Sequence, residues 1–133
     1  MMPTQGAVNT KLAGYVESPV TAAFISFLVG TIALFIYMLI TGTPMSNFTN
    51  SKNAPVITWT GGLLGAFFVT AIAMSVPRLG VALTFSLAIA GQMLITLLID
   101  HFGFLDVPVK EINIPRVLGV VLIVAGVIVI RRF

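Results

Sequence analysis

The side chains of this sequence that can take part in chemistry are mostly uncharged polar groups placed inside long apolar segments. The segment from Leu79 to Ile99 has no ionisable group, and as a helix of about 21 residues it would be about 31 Å long. Small or polar residues recur there at every fourth position and so lie along one side: Thr84, Ala88, Gln92 and Thr96. Gln92 lies near the middle, where an amide must bond to protein or line a wet cavity. The stripe predicts a face that binds a ligand or another helix.

Further polar groups that could bind a small molecule occur near the amino terminus and in the next apolar segment. With the three polar residues of the stripe, they complete our predicted substrate-binding set: Gln5, Asn9, Ser26, Trp59, Thr84, Gln92 and Thr96. A simpler interpretation is that Ser26 and Gln92 hydrogen-bond neighbouring helices, at about 0.6 kcal/mol each. The simpler interpretation of Trp59, near the start of an apolar segment, is an anchor at the membrane interface. The sequence leaves these interpretations open.

The sequence offers little for catalysis. His101 beside Asp100 could transfer a proton, but such a pair more often forms a polar cap at the level of the lipid headgroups. No nucleophile triad, phosphate loop or metal-ligand spacing occurs, so we expect neither an enzyme nor a bound cofactor or metal. The four carboxylates all lie at segment ends or in loops, which argues against proton coupling through a central carboxylate. A transported substrate would then be neutral, zwitterionic or amphiphilic.

The composition indicates the elements that must position these groups. Of the 133 residues, 58% are hydrophobic and 8% are charged, whereas soluble domains have about 25% charged residues. We therefore predict an all-α integral membrane protein with one transmembrane domain, residues 1–133. The basic residues lie at the ends of apolar segments and form no patch, so we do not expect a nucleic-acid partner.

Hydropathy and turn signals predict four full spans. They cover residues 19–41, 56–76, 79–99 and 114–131. Residues 1–17 predict a partial helix, either interfacial or the second half of a span whose first half lies outside this chain. Ser18 and Pro19 are typical of a helix start. The sequence from Ser75 to Gly80 predicts a tight turn that makes the flanking spans an antiparallel hairpin.

The distribution of basic residues gives this chain little reason to prefer one orientation in the membrane. The four predicted spans assign each basic residue to one side of the membrane, and the two sides carry nearly equal numbers. One side has Lys11, Arg78, Arg131 and Arg132, and the other has Lys52, Lys110 and Arg116. Orientation is set by an excess of Lys and Arg on the cytoplasmic side. We therefore expect insertion in both orientations and pairing with an inverted second copy of the chain, an arrangement that transporters reach through inverted repeats.

Several segments, taken in order, carry a resemblance to a known family. They are residues 3–9 (PTQGAVN), Ser18-Pro19 with residues 27–30, residues 61–69 (GGLLGAFFV), residues 77–82 (PRLGVA), and Gln92 followed by residues 100–103 (DHFG). This order resembles the YdcZ-like family, a branch of the drug/metabolite transporter superfamily distantly related to small multidrug resistance proteins. The resemblance implies a small multi-pass protein of the bacterial inner membrane. It also implies five helices, the first of which begins upstream of Pro3.

Two functions follow as hypotheses. The first is a small-molecule transporter that works as a dual-topology antiparallel homodimer, with its substrate path at the protomer interface near Gln92 and Gln5. The second is a membrane assembly factor or accessory subunit that transports nothing. A channel would need continuous rings of polar groups, and the sequence has too few.

Overall fold

The computed structural model describes every residue from Met1 to Phe133 and contains helices but no strands. The six α-helices are α1 (Met2–Val16), α2 (Pro19–Thr41), α3 (Asn47–Asn50), α4 (Thr60–Leu79), α5 (Val81–Phe102) and α6 (Ile114–Arg132). Four helical segments are long and apolar enough to cross a membrane: α2, Val56–Leu79, α5 and α6. The all-α prediction with four spans is confirmed.

Two of the spans begin with a side-chain cap that the sequence specifies. The Ser18 hydroxyl accepts a hydrogen bond from the Thr21 backbone N–H at 3.2 Å, and Pro19 occupies the first turn of α2. Asn113 does the same for α6, accepting from the Arg116 N–H at 3.0 Å. Each cap satisfies a backbone donor that has no partner inside its helix, which fixes where the helix starts.

The segment between α4 and α5 differs from the predicted tight turn. Helix α4 continues through Pro77 to Leu79, and Gly80 alone separates it from α5. Pro77 lies in the last turn of the helix and cannot donate the backbone hydrogen bond of that position, and Gly80 has a φ of 78°, which glycine adopts without strain. The chain divides here into two compact units, Met1–Pro77 and Arg78–Phe133.

In the first unit, α1 packs against α2. The helices are linked by Glu17, whose backbone is left-handed with a φ of 54°, and by Ser18. The side of α2 that meets α1 has small residues one turn apart: Ala22 is fully buried, and Ser26 and Gly30 are half-buried. Small side chains let two helices approach closely, so this side of α2 fits a packing interface.

In the second unit, α5 packs against α6. Gly103 ends α5 in a left-handed conformation with a φ of 63°. The connecting segment returns to the end of α5, where the Lys110 backbone N–H donates to the Asp100 backbone oxygen at 2.8 Å. Helix α6 then begins at Ile114, after the Asn113 cap.

The four spans leave most of their surface uncovered by the chain itself. Between 6% and 17% of the residues in each apolar window are buried inside the protein. Their large side chains, such as Phe24, Leu34 and Leu122, are mainly exposed. This surface is apolar enough to face lipid or the apolar surface of another protein.

Candidate functional site

A polar pair joins α1 to α2 at the level where the two helices pack. The Ser26 hydroxyl donates a hydrogen bond to the Asn9 Oδ1. Asn9 is only 3% exposed, and its Nδ2 has no hydrogen-bond partner within the chain. A buried amide N–H left unpaired costs about 1–3 kcal/mol, so the pair contains a donor that packing alone does not explain.

The pair also shows how the two helices are aligned. Asn9 lies eight residues before Glu17, and Ser26 lies eight residues after Ser18, so the helices run antiparallel from their short connection. Gln5 and Gly30 are each twelve residues from the same connection and line one pocket. Two independent contacts therefore agree on one alignment, which places α1 along the first half of α2.

The pocket lies beside this polar pair. It has a volume of about 240 Å³ and is lined by Gln5, Ser26, Phe27, Gly30, Thr31 and Leu34. Gly30 is the central residue of α2, with eleven residues on each side. If α2 crosses the bilayer along its length of about 35 Å, the pocket opens near the middle of the membrane.

The Phe27 ring lies close to Gly65 of α4. A Cβ atom built on Gly65 of α4 would lie 3.4 Å from the Phe27 Cζ atom. This separation is ordinary van der Waals contact. One wall of the pocket thus lies beside Gly65 of α4.

Three of the predicted site residues, Gln5, Asn9 and Ser26, come together in the first unit. Gln5 and Ser26 line the pocket, and Asn9 is bonded to Ser26. Trp59 is in the same unit but is 63% exposed, in a short 3₁₀ turn just before α4, and it does not line the pocket. That location fits the simpler interpretation of Trp59 as an anchor at the interface.

The three predicted residues of α5 do not share one environment. Thr84 is 4% exposed, and its hydroxyl donates to the Gly80 carbonyl at 2.7 Å. Thr96 is exposed, and its hydroxyl donates to the Gln92 carbonyl at 2.8 Å. Both hydroxyls therefore bond to their own helix, as threonines in helices often do.

Gln92 is exposed at the middle of α5, and its side-chain amide makes no hydrogen bond within the chain. The stripe of Thr84, Ala88, Gln92 and Thr96 changes from buried to exposed along α5. Successive residues of a helix are rotated by about 100°, so residues four apart are rotated by about 400°, which is about 40° more than one full turn. Each step turns the stripe by about 40°, so Thr84 and Gln92 face different directions.

An ion pair that the sequence did not predict joins the end of α5 to the start of α6 in the second unit. The Arg116 Nη2 lies 2.7 Å from the Asp100 Oδ2, and the Arg116 Nη1 donates to the Lys110 carbonyl at 3.1 Å. Asp100 thus pairs with Arg116, whereas the His101 ring packs edge-on against Phe102. Asp100 and His101 are neighbours in a helix and point about 100° apart, so their adjacency in sequence does not bring the two side chains together as a proton-transferring pair.

Sequence reasoning also missed most of the pocket wall. Phe27, Thr31 and Leu34 belong to an apolar span and are not in the predicted substrate-binding set. The signal that could have found them is the equal distance of Gln5 and Gly30 from the Glu17–Ser18 connection, since two antiparallel helices bring such positions side by side.

Comparison with protein-family models gives one match. Residues 1–129 match the family described as "Putative inner membrane exporter, YdcZ". No curated protein and no solved structure matches the chain. The family match confirms the resemblance drawn from the sequence motifs, and with the four apolar helices it identifies a multi-pass protein of the inner membrane.

Proposed function

This chain belongs to the YdcZ family of inner-membrane exporters, and from that premise we propose how it carries a small molecule. Two copies associate in inverted orientations, and the substrate path lies at the interface between the protomers. The groups that we propose contact the substrate are Gln5, Asn9, Ser26, Trp59, Thr84, Gln92 and Thr96. Gln5, Asn9, Ser26 and Gln92 are the core of this set, because Thr84 and Thr96 have hydroxyls already bonded to α5 and Trp59 is outside the pocket.

The observation that carries the proposal is the presence of two amide groups without partners, one near the middle of the apolar helix α5 and one where α1 packs against α2. The Gln92 amide is exposed and unbonded within the chain, and the Asn9 Nδ2 is buried and unbonded. In hydrocarbon each such group costs several kcal/mol. A partner protomer or a substrate that bonds to the exposed Gln92 amide would remove its share of that cost.

The sparse burial within the chain supports a dimer. Each span buries at most 17% of its apolar window, so one protomer covers little of its own surface. The nearly equal distribution of Lys and Arg between the two sides supports insertion in both orientations. Inverted pairing would give the assembly a two-fold axis in the membrane plane, as inverted repeats give to many transporters.

The absence of cysteine from the sequence allows a direct test of orientation. Asn53→Cys places one thiol in the exposed segment between α2 and α4, and Phe133→Cys places one at the carboxyl end. Each variant is labelled in intact spheroplasts with a membrane-impermeant maleimide. We expect about half of the molecules of each variant to react, since neither orientation is favoured. Complete labelling at one position with none at the other would contradict dual topology.

Substitution of Gln92 tests the transport role. Gln92→Leu removes the amide, and Ile95→Leu is the matched control because Ile95 is an exposed residue of the same helix without a polar group. Metabolites in the medium of expressing cells are compared by mass spectrometry with those of cells that lack the protein. We expect a metabolite exported by the wild type and by Ile95→Leu to return to background with Gln92→Leu, while the dimer persists.

Full export by Gln92→Leu would exclude Gln92 from the substrate path. The absence of any exported metabolite, combined with loss of another membrane complex when the chain is deleted, would favour the accessory-subunit hypothesis.

A further inference from the structure

We propose that the pocket between α1 and α2 binds a small uncharged molecule that joins a hydrogen-bond donor to an apolar body. The inference rests on the proposed transport function and names the class of substrate. Its basis is the state of each polar atom in the pocket wall and the absence of ionisable side chains from that wall.

The hydroxyl groups of the pocket have already used their protons. The Ser26 hydroxyl donates to the Asn9 Oδ1, and the Thr31 hydroxyl donates to the Phe27 carbonyl at 2.7 Å. A hydroxyl has one proton and two lone pairs, so both oxygens remain free only as acceptors. Gln5, which makes no side-chain hydrogen bond within the chain, adds an amide that can accept and donate. A bound molecule can therefore bond to the two hydroxyl oxygens only by donating an N–H or O–H to them.

The surroundings favour a molecule without charge. Lys11 is the only charged side chain on α1 and α2, and it lies about 200° around α1 from Asn9, on the side away from α2. No residue in the pocket wall can neutralise an ion. Because the pocket lies near the middle of α2, an unpaired charge there would be desolvated without compensation.

The size and shape limit the apolar body. The volume of about 240 Å³ is below the range of about 300–1,000 Å³ that is typical of pockets for drug-sized ligands. Phe27 and Leu34 supply flat and branched apolar walls. These walls suit a single ring or a short branched chain.

Benzamide is a suitable probe because it has one ring, one carbonyl and two N–H donors. Its analogues each change one property: benzamidinium is a cation, benzoate is an anion, and N,N-dimethylbenzamide lacks both donors. Binding to the purified full-length protein in a non-ionic detergent is measured by titration calorimetry. We expect benzamide to bind. The two ions should bind at least about tenfold more weakly than benzamide, and N,N-dimethylbenzamide should bind about five- to tenfold more weakly.

Gly30 provides a variant that fills the pocket without disturbing the helix. A Cβ atom at Gly30 would meet no heavy atom within 4 Å, so Gly30→Leu can extend its side chain into the pocket space. Gly14→Leu is the control, because Gly14 has the same open surroundings and does not line the pocket. Benzamide binding should be lost with Gly30→Leu and retained with Gly14→Leu. Circular dichroism and gel filtration check that both variants fold.

Thr31→Val is a second variant of nearly unchanged shape, and it should weaken benzamide binding about fivefold by removing one acceptor. Equal binding of benzamide and the two ions, no detectable benzamide binding, or binding that persists in Gly30→Leu would overturn the inference. These outcomes are separate from those of the transport test. Export that depends on Gln92 without benzamide binding would reject only this substrate class, whereas benzamide binding without export would reject only the transport role.

Discussion

The ion pair between Asp100 and Arg116 allows a quantitative prediction about the second unit. Asp100 lies in the last turn of α5, and Arg116 lies in the first turn of α6. Each charge is at the helix end that the helix dipole disfavours, because the amino end of a helix is positive and the carboxyl end is negative. Their attraction must therefore offset two unfavourable helix-end interactions.

The magnitude follows from burial and bonding. The Arg116 side chain is 28% exposed and the Asp100 side chain is 18% exposed, between the conditions of surface pairs and buried pairs. Surface pairs contribute about 0–1 kcal/mol, and breaking a buried pair costs about 3–5 kcal/mol. We expect Asp100→Asn to lower the free energy of unfolding by about 1–3 kcal/mol, since it leaves Arg116 without its counter-ion at an unfavourable helix end.

Exchanging the two charges is the informative control. In the double variant Asp100→Arg with Arg116→Asp, each helix end exchanges a disfavoured charge for a favoured one, a gain of about 0.6–2 kcal/mol per helix end, twice the effect of a single charge. The hydrogen bond from Arg116 to the Lys110 carbonyl is lost, which costs about 0.5–1.5 kcal/mol. The gain at the two helix ends exceeds this loss, so the exchanged protein should be at least as stable as the wild type.

The assay is unfolding of the purified protein in mixed micelles by increasing sodium dodecyl sulfate, followed by circular dichroism. Asp100→Asn, Arg116→Gln and their double variant complete a thermodynamic cycle. A coupling free energy of about 1–3 kcal/mol is expected for residues in direct contact. A coupling near zero, or an exchanged protein as unstable as Asp100→Asn, would refute the electrostatic reasoning.

Two further predictions concern a glycine and the polar pair. Gly103→Ala should destabilise the protein by about 1–2 kcal/mol in the same unfolding assay, because the residue has a φ of 63° and a Cβ would lie 2.7 Å from the Val109 Cγ2. The control Gly126→Ala should be neutral or stabilising, because a Cβ at Gly126 meets nothing within 4 Å. The double variant Asn9→Leu with Ser26→Ala removes the unpaired buried amide donor together with its hydrogen-bonded partner, so its stability should be unchanged or raised while export is abolished. A large loss of stability would show that the pair serves packing instead.

The elements of the fold were largely predictable because they depend on local properties. The apolar spans are set by their length and lack of charge, and the start of α2 is set by a serine cap followed by proline. The exact end of α4 was not predictable from Pro77, because α4 continues past this proline to Leu79 although proline usually ends or kinks a helix.

The sequence by itself determined that this chain forms apolar membrane-spanning helices, that its family is the YdcZ exporters, and that its spans carry amides but no central carboxylate. These properties depend on composition and on residues close together in the chain. Only the tertiary structure decided that Gln5 and Ser26 share a pocket with Thr31, and that Asp100 bonds to Arg116. Such contacts depend on which faces of two helices meet, and the direction of each face is fixed by helix alignment and rotation, which local sequence does not specify.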